Sequence, residues 1–87
     1  MKVQNLTSNK GNKIANQFEI IANNGRYFQS YNSIICFIDN DNKVTLDSYY
    51  WDYSKTTSKY RNIFLNEDTK TIKEKINKGI YKLANLN

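Results

Sequence analysis

Hydrophobic and polar positions begin to alternate at Ile14. Phe18, Ile20 and Ala22 interleave with Glu19, Ile21 and Asn23, a period of two that predicts a strand with one buried and one half-exposed face. Asn23-Asn24-Gly25 then reads as a hairpin turn, because Asn and Gly accept the positive φ that tight hairpins require. Arg26 to Tyr31 makes the return strand, and the polar Asn32-Ser33 marks a bend or bulge. Ile34-Ile35-Cys36-Phe37-Ile38 is the most apolar run. It is too short for a helix and rich in β-branching, which predicts a central strand covered on both faces. Asp39 to Asn42 forms the next turn, and Lys43 to Asp47 alternates as a further partner. This half of the chain predicts an antiparallel meander. Ahead of it, residues 1–13 are a polar segment with a loop at Ser8 to Asn12 and an edge strand available at Val3 and Leu6.

The period changes across residues 49–61, which hold the only Trp and four of the seven Tyr. Thr56, Tyr60, Ile63 and Phe64 fall at i, i+4, i+7 and i+8, one stripe of a helix. Asp52 or Ser54 suits its N-cap, and Trp51 and Tyr53 stand where they can staple the helix entry onto the sheet. A second helix is expected from about Asn66-Glu67-Asp68 to Gly79. Its core stripe is Ile72 and Ile76, Lys75 and Lys78 complement the dipole in its last turn, and Gly79 suits the left-handed residue after it. Ile80 to Leu86 alternates as a closing strand. The fold class predicted is α+β: residues 14–87 as one small domain, with an antiparallel sheet of four or five strands and one or two helices on one face.

Eighty-seven residues suit a single core, and the 14% aromatic content offsets the small size, since each buried ring removes about 150–250 Å² from water. With no His and one Cys, no internal disulfide, structural zinc site or imidazole base is expected, and no cofactor. The absence of a leader or an apolar run near 18 residues predicts a cytoplasmic protein without a membrane partner. Net charge is +5, and all of it lies in residues 54–87, where eight cations face Glu67, Asp68 and Glu74; residues 1–53 carry five cations and five acids. Such asymmetry predicts a basic face or a solvated helix surface.

Catalytic candidates are weak. Cys36, flanked by Ile35 and Phe37, reads as a buried structural thiol. Asp39 and Asp41 lack the Gly and the distal Glu of a calcium loop and read as a hairpin turn. Asp47 and Asp52 straddle a strand end with no fixed geometry for acid–base work. The hydroxyl run Ser54 to Ser58, beside Lys55, Lys59 and Arg61, can either bind phosphate at a helix N-terminus or cap the helix locally. Aromatics interleaved with cations, namely Arg26, Tyr27, Tyr31, Tyr49, Tyr50 and Tyr60, suit single-stranded nucleic acid. An exposed Tyr-rich patch serves a protein interface equally well.

The segments Asn16-Gln17-Phe18, Tyr27 to Ile35, Val44-Thr45-Leu46-Asp47 and Trp51 to Tyr60 resemble a family of short phage and prophage proteins, a domain of unknown function. Its members share the pattern Phe-Gln-Ser-Tyr, then Leu-Asp, then Trp-Asp-Tyr-Ser-x-Thr-Thr-x-Lys-Tyr. The similarity spans residues 12–86 and brings no functional residues with it. It implies a non-enzymatic phage-type accessory protein that binds and inhibits a bacterial defence nucleoprotein, in the manner of anti-CRISPR inhibitors. The partner expected is a host defence protein or ribonucleoprotein complex. The basic charge disfavours DNA mimicry. The alternative is a free-standing single-stranded nucleic-acid-binding module. The binding residues expected under either reading are Arg26, Tyr49, Trp51, Tyr53, Lys55, Thr56, Lys59, Tyr60 and Arg61.

Overall fold

The computed structural model covers residues 1–87. Its elements run β1 (Lys2–Thr7), β2 (Lys13–Ala22), β3 (Gly25–Ser30), β4 (Ser33–Asp39), β5 (Val44–Asp47), α1 (Lys55–Leu65), α2 (Thr69–Asn77) and β6 (Lys82–Ala84). All six strands join one sheet in sequence order. β1 to β5 form the expected antiparallel meander, with β1 on its edge. The class is α+β, as expected, but the sheet gains a sixth strand. The helices return the chain to the starting end of β5, so β6 pairs with β5 in parallel rather than antiparallel. The closing strand is only three residues long because Ile80 and Tyr81 serve the exit from α2, both donating their amides to the Lys75 carbonyl (2.9 and 3.1 Å).

Register sorts the residues onto two faces. Phe28, Cys36 and Leu46 lie directly across from one another, as do Ile38 and Val44. With Ile35 and Ile72 they form the buried apolar core, where full burial of a side chain such as Phe28 or Leu46 contributes about 1.5–3 kcal/mol. The consecutive burial of Ile35 and Cys36 has a different cause from the one expected. Pairing slips between Phe28 and Gln29, leaving Ile35 as the extra residue of a bulge, and a bulge turns two neighbours toward one side. Phe37, next along, stays only half-buried on the opposite face. The helices lie on the Phe28 side, where Phe64 stacks on Phe28 with centroids 5.7 Å apart.

The β2–β3 hairpin forms at Asn23-Asn24, but neither of them takes positive φ. The glycine is needed just after the turn. Gly25 has φ +144°, and a Cβ there would stand 2.2 Å from the Ile38 carbonyl oxygen of the next strand.

α1 is rotated from the predicted stripe. Thr57 and Arg61 are buried, Tyr60 and Phe64 half-buried, and Thr56 and Ile63 face outward. Polar partners waiting inside explain this. The Thr57 hydroxyl meets that of Ser30 at 3.2 Å, and Arg61 finds the acceptors described below. Ser54 is the N-cap, accepting from the Thr57 amide (3.1 Å), and Asn66 closes the helix in the left-handed region. Ser54→Ala should therefore destabilise the protein by about 1 kcal/mol, read as a lower urea midpoint with an unchanged slope. In α2, Asp68 is the N-cap, Ile72 is fully buried, Ile76 half-buried, and Gly79 takes the expected positive φ.

Candidate functional site

The loop from Ser48 to Ser54 carries most of the predicted binding residues, and Asp47 holds it. The Asp47 side chain is buried at the end of β5. One carboxylate oxygen accepts from the amides of Tyr49 (3.1 Å) and Tyr50 (2.8 Å); the other accepts from Leu86 (2.8 Å) in the C-terminal segment. The Ser48 amide adds a bond to Ala84 (2.8 Å), and the Trp51 amide bonds to the Asp47 carbonyl (3.0 Å). Burial alone would push the Asp47 carboxyl up. The Leu86, Tyr50 and Tyr49 amides and the Asn87 side chain outweigh it and hold the group below the ordinary carboxylate range.

Fixed in this way, the loop projects a knuckle of three tyrosines. Tyr49 and Tyr53 are 70% and 61% exposed, and Tyr50 sits half-buried beneath them against the core. Tyr49 meets Tyr50 edge-on at 4.7 Å between centroids, and Tyr53 lies 5.2 Å from Tyr50 and 5.8 Å from Tyr49. Trp51 points the other way. It is half-buried, packs on the core, and lies under the Arg61 guanidinium, 5.3 Å from the ring. Of the two residues expected to staple the helix, Trp51 does so and Tyr53 does not.

Arg61 corrects the sequence reading most sharply. Expected as a surface contact, its side chain is completely buried. Nη1 donates to the Trp51 carbonyl and to Asp52 Oδ1 (3.1 Å), Nη2 to Asn62 Oδ1 and Thr69 Oγ1 (both 2.9 Å), and Nε to Asn62 Oδ1 (3.2 Å). It clasps the loop, α1 and the first turn of α2 together, and no donor remains for a partner. Asp52 feels opposing effects too. Burial raises its carboxyl, while bonds from Ser58 (2.7 Å) and Arg61, and the charges of Arg61 and Lys73, hold it below the usual range.

The other predicted cations do not converge either. Lys55 and Thr56 are exposed in the first turn of α1, continuous along the chain with the tyrosines. Lys59, one turn on, holds its ammonium 5.3 Å from the Tyr60 ring. Both line a small cavity of about 130 Å³ with Ser8, Asn9, Ile14 and Ile63. Arg26 pairs with Glu19 at 2.9 Å and lies over Phe64, near the C-terminal end of α1. Three of the four hydroxyls in the run are spent internally: Ser54 caps, Thr57 meets Ser30, and Ser58 donates to Asp52, while Thr56 is exposed. Cys36 is fully buried, its thiol pushed up by desolvation against the opposing charges of Arg61 and Arg26. The Asp39 carboxylate accepts from the amides of Asp41 (2.8 Å) and Lys43 (2.9 Å), closing the β4–β5 turn. No group of three His, Cys, Asp or Glu residues is placed to hold a metal ion, and no helix is long and apolar enough to cross a membrane.

The sequence reading also missed the far side of the sheet. Val3, Ile20, Tyr27, Phe37, Thr45 and Lys82 stand across from one another in a single row, opposite the face that carries the helices. The alternation of Phe18 and Ile20 against Glu19 was the available signal. It marks one apolar face, and the register turns that face away from the helices, which instead cover the side carrying Gln17, Glu19 and Phe28.

A family model described as a family of unknown function (DUF8033) matches residues 1–80. No curated protein and no solved structure matches the chain.

Proposed function

The chain belongs to this family of unknown function, and we propose that it acts by binding, as a non-enzymatic inhibitor docking on a bacterial defence nucleoprotein in the manner of anti-CRISPR proteins. The observation that carries a binding role is the tyrosine knuckle. Tyr49 and Tyr53 expose large rings on a loop that Asp47 has already ordered, so docking them costs little further conformational entropy. Exposed tyrosines on a rigid support are typical anchors of protein interfaces. The choice of a protein surface over a bare strand rests on the cations. Arg61 is internal, Arg26 is paired with Glu19, and Lys59 leans on Tyr60, leaving Lys55 beside the aromatic anchor. The defence-system context rests on the phage-family resemblance of residues 12–86.

The test is inhibition of target-DNA cleavage by purified CRISPR effector–guide complexes. Wild-type protein is expected to inhibit at near-stoichiometric ratios. Tyr49→Ser with Tyr53→Ser should weaken inhibition about tenfold to a hundredfold while the melting temperature stays put, since both rings are exposed. Full inhibition by that double variant would remove the knuckle from the interface. No inhibition of any effector class would remove the assigned partner.

A further inference from the structure

We infer a second site, for a nucleotide, at one end of the uncovered sheet face, where a base stacks on Phe37 and its phosphate sits between Lys43 and Lys82. Within the row across the six strands, Tyr27 and Phe37 are neighbours on β3 and β4, their rings stacked with centroids 4.5 Å apart and planes at 27°. The Tyr27 hydroxyl accepts from Asn24 Nδ2 at 3.0 Å, which fixes one end of the stack. Because the rings stack along the row, the free face of Phe37 is the one toward Thr45, its partner on β5. Thr45 is short, and the stack can be continued above it by one more planar ring. Base–aromatic stacking of this kind tolerates any base.

Beyond Thr45 the row ends at Lys82, and here the surface opens into a cavity of about 300 Å³ lined by Lys43, Val44, Thr45, Lys82, Asp39 and the Gly79-Ile80 turn. That volume is at the lower end of small-ligand sites. Lys43 and Lys82 are exposed, and neither belongs to any of the ion pairs of the fold. Asp39, the one acid in the lining, has an oxygen committed to the amides of Asp41 and Lys43, so two free ammonium groups and a hydroxyl face one engaged carboxylate. A ring to stack on, with a net positive cavity beside it, matches the two halves of a nucleotide. This site lies on a different surface from the tyrosine knuckle and goes beyond that reading.

A free nucleotide and one residue of a single strand share this chemistry. The probes are therefore a nucleoside monophosphate, a short single-stranded oligonucleotide and inorganic phosphate, each titrated into the full chain and followed by amide chemical shifts. The expected result is a set of shifts confined to Tyr27, Phe37, Thr45 and Lys82, larger and at lower concentration for the nucleotide than for phosphate. Binding of the monophosphate assigns the free ligand, and binding of the oligonucleotide alone assigns the strand. Lys43→Gln with Lys82→Gln should weaken binding tenfold or more and flatten its salt dependence. Lys70→Gln with Lys73→Gln, the same change of charge on exposed positions of α2, should do neither. Phe37→Leu should weaken the nucleotide and leave phosphate unchanged; if it fails to fold, the lysine pair still decides. Equal affinity for phosphate and nucleotide, equal loss in the two lysine pairs, or concentration-dependent self-association that covers the row would each overturn the site.

Discussion

Arg61→Ala is expected to lower the free energy of unfolding by about 3–5 kcal/mol, the usual result of truncating a large, fully buried side chain that also hydrogen-bonds the groups around it. A domain of this size rarely has more than about 3–5 kcal/mol in hand, so much of the variant should be unfolded at 25 °C. The loss has several sources. The Trp51 carbonyl, Asn62 Oδ1 and Thr69 Oγ1 all lose a charged donor, and a large side chain with no solvent exposure leaves a void over the Trp51 ring. Arg61→Lys should recover less than half of the loss. One ammonium cannot reproduce a planar fork that serves five acceptors, Ser58 Oγ (3.4 Å) among them, in three segments of chain. Asp52→Asn should cost less, because asparagine keeps an oxygen that accepts from Arg61 Nη1, so the variant loses the counter-charge of the buried guanidinium but no hydrogen bond. Urea denaturation followed by the fluorescence of Trp51, the only Trp, reads all three variants. A cost below about 1 kcal/mol for Arg61→Ala would show that the clasp is ornamental to the fold.

Arg61 also shows where sequence reasoning ends. The meander was legible because alternation over Phe18 to Asp47 has one simple solution, and the helices because the period changes and capping residues mark their ends. The rotation of α1 was not. An apolar count selects Thr56, Tyr60, Ile63 and Phe64, and nothing in that count says that Ser30, Asn62, Thr69 and the Trp51 carbonyl will gather into a polar interior where Thr57 and Arg61 belong. Side-chain acceptors supplied from 8 and 27 residues away are tertiary information. The parallel β6 is similar: alternation over Ile80 to Leu86 proposes a strand but not its direction, which follows from the path of the two helices. For the candidate site, the sequence located the tyrosines and could not say which aromatic turns inward. Tyr49 and Tyr53 became the exposed pair and Trp51 the staple because Asp47 sets the first turn of the loop and Arg61 takes the face of the indole.

Asp47 thus links stability to the proposed interface, and Asp47→Asn should separate its two roles. At neutral pH the variant is expected to lose about 2–4 kcal/mol, since asparagine keeps one acceptor oxygen but turns an N–H₂ toward amides that need a second. The pH dependence follows from the direction of the shift. The folded Asp47 carboxyl lies below its ordinary 3.8, so its contribution is complete above that value and is lost as pH falls through the folded one; Asp52 acts with the same sign. Wild type should therefore lose stability as the pH drops below 3.8. The gap between wild type and Asp47→Asn should narrow over the same interval, because protonation makes the wild-type side chain neutral as well. A gap that stays constant from pH 7 to pH 2 would mean that the charge of Asp47 carries none of the stabilisation. Hydrogen exchange provides the local readout: faster exchange at Tyr49, Tyr50 and Leu86, with the Phe28 and Leu46 amides nearly unchanged, would show the loop released ahead of the sheet. In that state the tyrosine knuckle must be ordered at the moment of docking, at about 0.5–1.5 kcal/mol for each side chain immobilised. Inhibition by Asp47→Asn should accordingly fall even at temperatures where the domain is still folded.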